Sequence, residues 1–232
     1  MNTFGMFVKQ PCAGKVKTRL AAGWDDERAA RLYESFVLDL AERFRTGVDQ
    51  RTLCFAPDVD EAAAYFREIA RDDYVLWPQP NDSLGRRMHQ FFVERLLEPD
   101  DRVVIIGSDS PTLPAAYVDD AFDRLRNCDC VIGPATDGGY YLIGQRFLGK
   151  DLFEEIEWSS RKVLLQTVER VGSLGMTLSL LPPWYDVDTA DDVKMMQGHI
   201  AAMETVGGDS HSIPKRTAMQ LAVDTPNRET RL

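Results

Sequence analysis

No stretch of this sequence approaches eighteen consecutive apolar residues, which excludes a membrane-spanning helix. The first residues, Met1 to Gly5, also lack the basic region and apolar run of a secretory leader, so a soluble, unprocessed protein is expected. Cysteine is scarce and poorly spaced for cross-linking. Cys12, Cys54, Cys128 and Cys130 form neither a disulfide framework nor a Cys-x-x-Cys metal pattern, which points to reduced thiols in a cytoplasm. There is no internal repeat and no low-complexity array. Positive charge is in deficit: a formal net charge of -10 at pH 7 argues against a nucleic-acid or anionic-membrane surface. Any basic cluster is therefore a local exception that needs a reason.

What is present is a chain of 232 residues with 44% hydrophobic content, enough for one sizeable core. Its pattern alternates strand and helix. Val103 to Ile106 is an apolar run too short for a helix, bounded by charge on one side and by Gly107 and Pro111 on the other, and predicts a central parallel strand buried on both faces. Further strands are predicted at Phe4 to Val8, Leu53 to Ala56, Tyr74 to Trp77, Cys128 to Gly133 and Leu178 to Leu181. Between them, Asp25 or Asp26 caps a helix whose stripe Ala29, Leu32, Tyr33, Phe36, Leu40 and Phe44 reads as core alone. Thr189 is the N-cap of a last helix, with Asp192 at the capping-box position. The expected division is a domain over residues 1–204 and a tail over 205–232, partly disordered or docked through Met219 to Val223.

Open α/β sheets bind ligands beyond the carboxyl ends of their strands, which brings several loops into view. In Gly107 to Pro111, Asp109 is the only carboxylate and a candidate metal ligand; it would equally cap the next helix or form an Asx turn. After the first strand, Gly14 allows close backbone approach while Lys15, Lys17 and Arg19 supply cations suited to a polyphosphate. The loop is not a Walker A motif, because Val16 follows Gly14-Lys15, and a solvated basic turn is the ordinary alternative. The stretch Gln79 to Met88 leads into a helix whose first amides, with Arg86 and Arg87, suit an anion, while Asp82 or Ser83 also reads as a plain N-cap. Asp137-Gly138 between two apolar runs signals a hairpin; alternatively Gly138 and Gly139 admit a substrate while Asp137 faces the reacting centre. Asp186 and Asp188 are left without a structural duty.

Five ordered motifs, spread over about Phe4 to Met203, carry a family resemblance. They are Lys9-x-Pro11-x-x-Gly14-Lys15-x-Lys17-Thr18-Arg19-Leu20, Leu84-Gly85-x-Arg87-Met88, Gly107-Ser108-Asp109-x-Pro111, Asp137-Gly138-Gly139-Tyr140-Tyr141 and Asp186-Val187-Asp188-Thr189. This set closely resembles the bacterial DUF2064 family, of selenodomain-associated transferase type and similar to the glycosyltransferase-A (GT-A) fold. More distantly it is similar to 2-phospho-lactate guanylyltransferases and molybdenum-cofactor nucleotidyltransferases. The chain departs from the family pattern before Leu84-Gly85, where Asn81 and Ser83 stand in place of Gly and Asp. The resemblance implies a three-layer α/β/α sandwich with a mostly parallel mixed sheet, of nucleotide-diphospho-sugar transferase type, binding a nucleotide at its carboxyl edge.

The expected activity is metal-dependent transfer of a nucleoside monophosphate from a nucleoside triphosphate to a small phosphorylated acceptor, releasing pyrophosphate. Magnesium or manganese, which take hard oxygen ligands and often only one or two carboxylates, would sit at Asp109 with Asp186 or Asp188. Lys17, Arg19, Asp109 and Asp137 are the candidate catalytic residues. Lys9, Pro11, Gly14, Lys15, Leu84, Gly85, Arg87, Gly138 and Gly139 are the candidate nucleotide-binding ones. A glycosyltransferase taking a nucleotide-sugar, with Asp137 as base, and a non-catalytic nucleotide-binding protein are the alternatives. The clustered cations favour nucleotidyl transfer, because a departing pyrophosphate needs neutralising. No nucleic-acid or membrane partner is expected.

Overall fold

The computed structural model describes residues 1–149, 151–207 and 212–224. Its strands are β1 (Asn2–Lys9), β2 (Gln50–Ala56), β3 (Val75–Pro78), β4 (Arg102–Ile106), β5 (Cys130–Pro134), β6 (Tyr140–Gln145) and β7 (Leu178–Leu180). Its helices are α1 (Thr18–Ala21), α2 (Asp26–Arg43), α3 (Asp60–Ala70), α4 (Leu84–Arg95), α5 (Ala115–Arg124), α6 (Val163–Ser173), α7 (Ala190–Thr205) and α8 (Lys215–Asp224). The strands form one seven-stranded sheet in the order β3-β2-β1-β4-β6-β5-β7. Only β6 runs against the others, pairing antiparallel with both β4 and β5. The Asp137-Gly138 hairpin makes that reversal: Asp137 Oδ1 accepts the Gly139 N–H at 2.8 Å, and Gly138 turns with φ 97°.

Period-two alternation divides the core between the two faces of the sheet. Met6, Leu53, Val104, Val131 and Leu142 point to one side, against α2, α3, α5 and α7. Cys54, Ile105, Cys130, Ile132 and Ile143 point to the other, against Met88, Phe91 and Phe92 of α4 and Val171 of α6. The result is the expected three-layer α/β/α sandwich with a mostly parallel mixed sheet. Side chains such as Phe36 and Phe91 are completely enclosed, and each burial of this size stabilises the fold by roughly 1.5–3 kcal/mol. No helix among the described residues is long and apolar enough to cross a membrane.

The local caps follow from composition. Asp25 accepts the Arg28 N–H at 2.7 Å, and Thr189 and Asp192 form a complete capping box. Part of the carboxyl-terminal segment forms α8 and packs against α2. Asp39, buried on α2, accepts the Arg216 and Thr217 N–H groups at 3.1 and 2.8 Å and so caps α8. Thr217 and Leu221 are the buried contacts, whereas Met219 and Val223 are 68% and 80% exposed. Within the expected stretch Met219 to Val223 it is Leu221 that faces the core. Residues 208–211 and 225–232 of the expected tail lie outside the described residues. Arg43, also on α2, donates to the carbonyls of Pro111 and Leu113 and, through its other terminal nitrogen, to that of Ser212.

Candidate functional site

A cleft of about 980 Å³ opens where β1 and β4 end and β6 begins. The basic loop after β1, the head of α4, the β5–β6 hairpin and the segment 158–161 wall it, and Phe7, Ile105 and Ile143 contribute its apolar floor. This is the carboxyl edge of the parallel strands, the position at which open α/β sheets bind ligands.

The carboxylates of two loops meet at this edge because the loops are bonded to each other. Val187 N–H donates to the Asp109 carbonyl at 2.9 Å, and Ser110 hydroxyl donates to Asp186 Oδ1 at 2.6 Å. Between them lies Lys17, whose ammonium reaches Asp109 Oδ1 at 2.5 Å, the Val187 carbonyl at 2.7 Å and Asp188 Oδ1 at 2.9 Å. Arg19 pairs with the other Asp188 oxygen. Asp186 and Asp188 therefore do have structural duties, contrary to expectation; their partners lie far away in sequence and left no local trace.

The electrostatics follow from these neighbours. Burial alone would lower the Lys17 pKa, but Asp109 and Asp188 outweigh it and raise it, so the ammonium stays charged. Burial alone would likewise raise Asp188, but Lys17 and then Arg19 hold it below the usual carboxylate range. Asp186 forms no ion pair among the described residues, and Lys17 acts on it only weakly. Burial, then the like charge of Asp109, pushes it up to about 7 despite the Ser110 hydroxyl. An unpaired buried carboxylate of this kind is a place where a cation would relieve the field.

Among the described residues no three His, Cys, Asp or Glu side chains form a metal-holding group. Where the two carboxylate loops meet, Asp109 and Asp186 each keep one oxygen unclaimed by a protein donor among the described residues, and Asp137 across the cleft keeps another. Two hard oxygens fit magnesium or manganese, whose remaining ligands commonly come from substrate phosphate and water.

Tyr33 of α2 stands behind this edge. Its hydroxyl accepts the Lys9 N–H at 3.0 Å and bonds the Ser108 hydroxyl at 2.7 Å, tying the ends of β1 and β4 together. Burial and then Asp109 push its pKa up to about 12, so it remains protonated. Periodicity assigned Tyr33 to core alone, and the polar tip of an otherwise apolar stripe was the signal that it does more.

The other predicted residues divide into two sets. Lys9, Lys15, Lys17, Arg19, Leu84, Arg87, Asp109, Asp137, Gly139, Asp186 and Asp188 line the cleft; Pro11, Gly14, Gly85 and Gly138 do not. Gly14 turns the basic loop with φ 72°. Gly85 and Gly138 instead make room for the segment 158–161. A Cβ on Gly85 would lie 2.9 Å from the Trp158 indole, and one on Gly138 would lie 2.5 Å from the Arg161 carbonyl oxygen. Arg87 is engaged with the Asp82 carbonyl and the Gln79 side chain, and Arg86 with Asp151, while Ser83 caps α4. Lys9, Lys15 and Arg161 have no ion-pair partner among the described residues. Trp158 and Arg161 were missed by sequence reasoning; an aromatic and a cation flanking Ser159-Ser160 ahead of a helix were their only trace.

Comparison with solved structures agrees with the fold. A protein from Desulfovibrio desulfuricans G20, called provisionally a nucleotide-diphospho-sugar transferase, shares 30% sequence identity with a TM-score of 0.84, covering 96% of this chain and 97% of that one. A cytidylyltransferase from Leptospira borgpetersenii shares 11% identity with a TM-score of 0.55, covering 96% and 94%. A nucleotidyl transferase from Methanothermobacter thermautotroptrophicus shares 13% with a TM-score of 0.55, covering 88% and 99%. These last two likenesses are of fold. No curated protein matches the chain. The profile of the family described as "Uncharacterized protein conserved in bacteria (DUF2064)" matches residues 39–160, more than half of the sequence, and the chain belongs to that family.

Proposed function

We propose that the cleft is the active site of a nucleotidyltransferase that moves a nucleoside monophosphate from a nucleoside triphosphate to a small phosphorylated acceptor. One observation carries this reading: in a single cleft, Asp109 and Asp186 each keep an unclaimed carboxylate oxygen, and Lys9 and Lys15 keep unpaired ammonium groups. In the reaction, an acceptor phosphate oxygen bonds to the α-phosphorus, the bond from that phosphorus to the bridging oxygen breaks, and pyrophosphate departs with the electron pair. The acceptor is already anionic and needs no general base, so positioning and charge neutralisation carry the catalysis. Lys9 and Lys15 meet the departing pyrophosphate. Magnesium or manganese, held by Asp109 and Asp186, would add neutralising charge at the phosphate oxygens. Tyr33 ties the basic loop to the Asp109 loop, and the Ser110 hydroxyl keeps the two carboxylate loops in register.

Glycosyl transfer from a nucleotide-sugar is the second reading. It is favoured by Asp137, which lines the cleft with only one oxygen engaged, and by the name given to the Desulfovibrio desulfuricans protein. A thermal-shift panel separates the two, using GTP, CTP, UTP and ATP against UDP- and GDP-sugars, each with magnesium and with chelator. One triphosphate is expected to stand apart and to lose its shift in chelator; at a hundred times its Kd it adds about 2.7 kcal/mol of stability. In Lys15→Ala, triphosphate binding should weaken more than monophosphate binding. A shift confined to nucleotide-sugars would select glycosyl transfer, and silence across the panel would refute both readings.

A further inference from the structure

We infer that the Lys17 ammonium is a built-in cation of this site: it holds, between Asp109 and Asp188, the position that a second divalent ion would otherwise take. A single exchangeable divalent ion then enters, at Asp109 and Asp186. The inference rests on the proposed reading of the cleft as a metal-assisted site and says how many ions that site admits.

An ammonium has three N–H donors and no acceptor. On Lys17 all three are engaged, by Asp109 Oδ1 at 2.5 Å, Val187 O at 2.7 Å and Asp188 Oδ1 at 2.9 Å. No donor remains for a substrate phosphate. The side chain is 3% exposed, and the ammonium lies 5.8 and 5.6 Å from the ring centres of Tyr33 and Phe36. Its backbone is specialised too. Lys17 sits in the left-handed region at φ 49°, which is unfavourable for an L residue and persists only where tertiary contacts impose it. Lys9 and Lys15, in contrast, are exposed and unpaired. The basic loop thus carries two kinds of cation, free ones for phosphate and one fixed in the protein.

Two facing carboxylates need positive charge between them, and here it is already covalently attached. An ion bridging Asp109 and Asp188 would need the same two oxygens that the ammonium holds. Arg19 closes the far oxygen of Asp188, so this carboxylate is fully engaged. What the ammonium leaves open is the other Asp109 oxygen and Asp186, which is one metal position. Removing the Lys17 charge should therefore create a site.

Manganese stoichiometry of the full chain, measured by calorimetry and by the paramagnetic resonance signal of free ion, tests this. The wild type should bind one ion, Lys17→Met two, and Lys17→Met/Asp188→Asn one again, with circular dichroism checking that each variant is folded. Two ions in the wild type, or one in folded Lys17→Met, would overturn the inference and leave the proposed function standing. No ion in the wild type but one in Lys17→Met would overturn the one-ion count and remove the metal from the proposed function. No ion in either refutes both. Amine acylation of the wild type gives a readout independent of any variant: Lys9 and Lys15 should label and Lys17 should stay unlabelled with or without manganese. Labelling of Lys17 on adding manganese would mean that the ion displaces the ammonium and would overturn the inference.

Discussion

Replacing Asp186 by Asn should stabilise the protein while removing a group that the proposed chemistry needs. The Asp186 carboxyl is pushed from 3.8 to about 7, chiefly by burial and then by Asp109. Because the folded pKa lies above the unfolded one, the folded state holds this proton more tightly. Its contribution to stability is therefore present at low pH and is lost as the pH rises through about 7. At about 1.36 kcal/mol per pH unit, the charged form carries a penalty of roughly 4 kcal/mol above pH 7 and of under about 2 kcal/mol at pH 5. Asn is neutral throughout, and its carbonyl can still accept the Ser110 hydroxyl. Urea unfolding in chelator at pH 5, 6, 7 and 8.5 should show Asp186→Asn gaining over the wild type by an amount that grows with pH and then levels off. Magnesium should restore wild-type stability at pH 8.5 and do little for the variant. A gain that does not change with pH, or a loss at pH 8.5, would mean that the carboxyl is not held neutral by its surroundings and would refute the reasoning.

Two further perturbations follow from the packing. Gly138→Ala forces a side chain into φ 97° and places its Cβ 2.5 Å from the Arg161 carbonyl oxygen; a loss of about 1–3 kcal/mol is expected, with weaker ligand binding as segment 158–161 is pushed outward, measured by thermal and ligand titration. Asp39→Ala removes the acceptor for two N–H groups at the head of α8, so limited proteolysis should cut near residue 215 well before the sheet is touched, at a cost to global stability of about 1–2 kcal/mol.

How much of this was legible in the sequence depends on the range of the interaction. The β4 run Val103 to Ile106 could be placed because an unbroken apolar tetrapeptide beside Gly107 leaves few other structures open to it. The Thr189–Asp192 capping box and the Asp137-Gly138 turn involve residues only two or three positions apart, and both are found as read. The Lys17–Asp188 contact spans 171 positions, and no local pattern encodes it. The sequence therefore showed that Lys15, Lys17 and Arg19 form a basic loop, but not that two of the three are committed to a carboxylate of the protein itself. Gly138 shows the same limit from the other side: it signalled a close approach, but the approaching partner is the chain at Arg161.

The bonds of Arg43 to Pro111, Leu113 and Ser212 impose an order on how the site is made as the chain leaves the ribosome. Synthesis delivers the amino-terminal part of the chain first. The nascent chain can therefore pair β1 with β2 and β4, and so present Lys17 and Asp109, long before Asp186, Asp188 and Ser212 have been polymerised. Until then Lys17 has lost two of its three acceptors, and Arg43 holds the Asp109 loop through only two of its three carbonyls. A polypeptide released early, for instance by a stop codon between β6 and β7, would keep most of the sheet and all of the basic loop yet carry an open, unneutralised edge. Such a fragment is exposed to proteases at the place where the finished protein is closely tied.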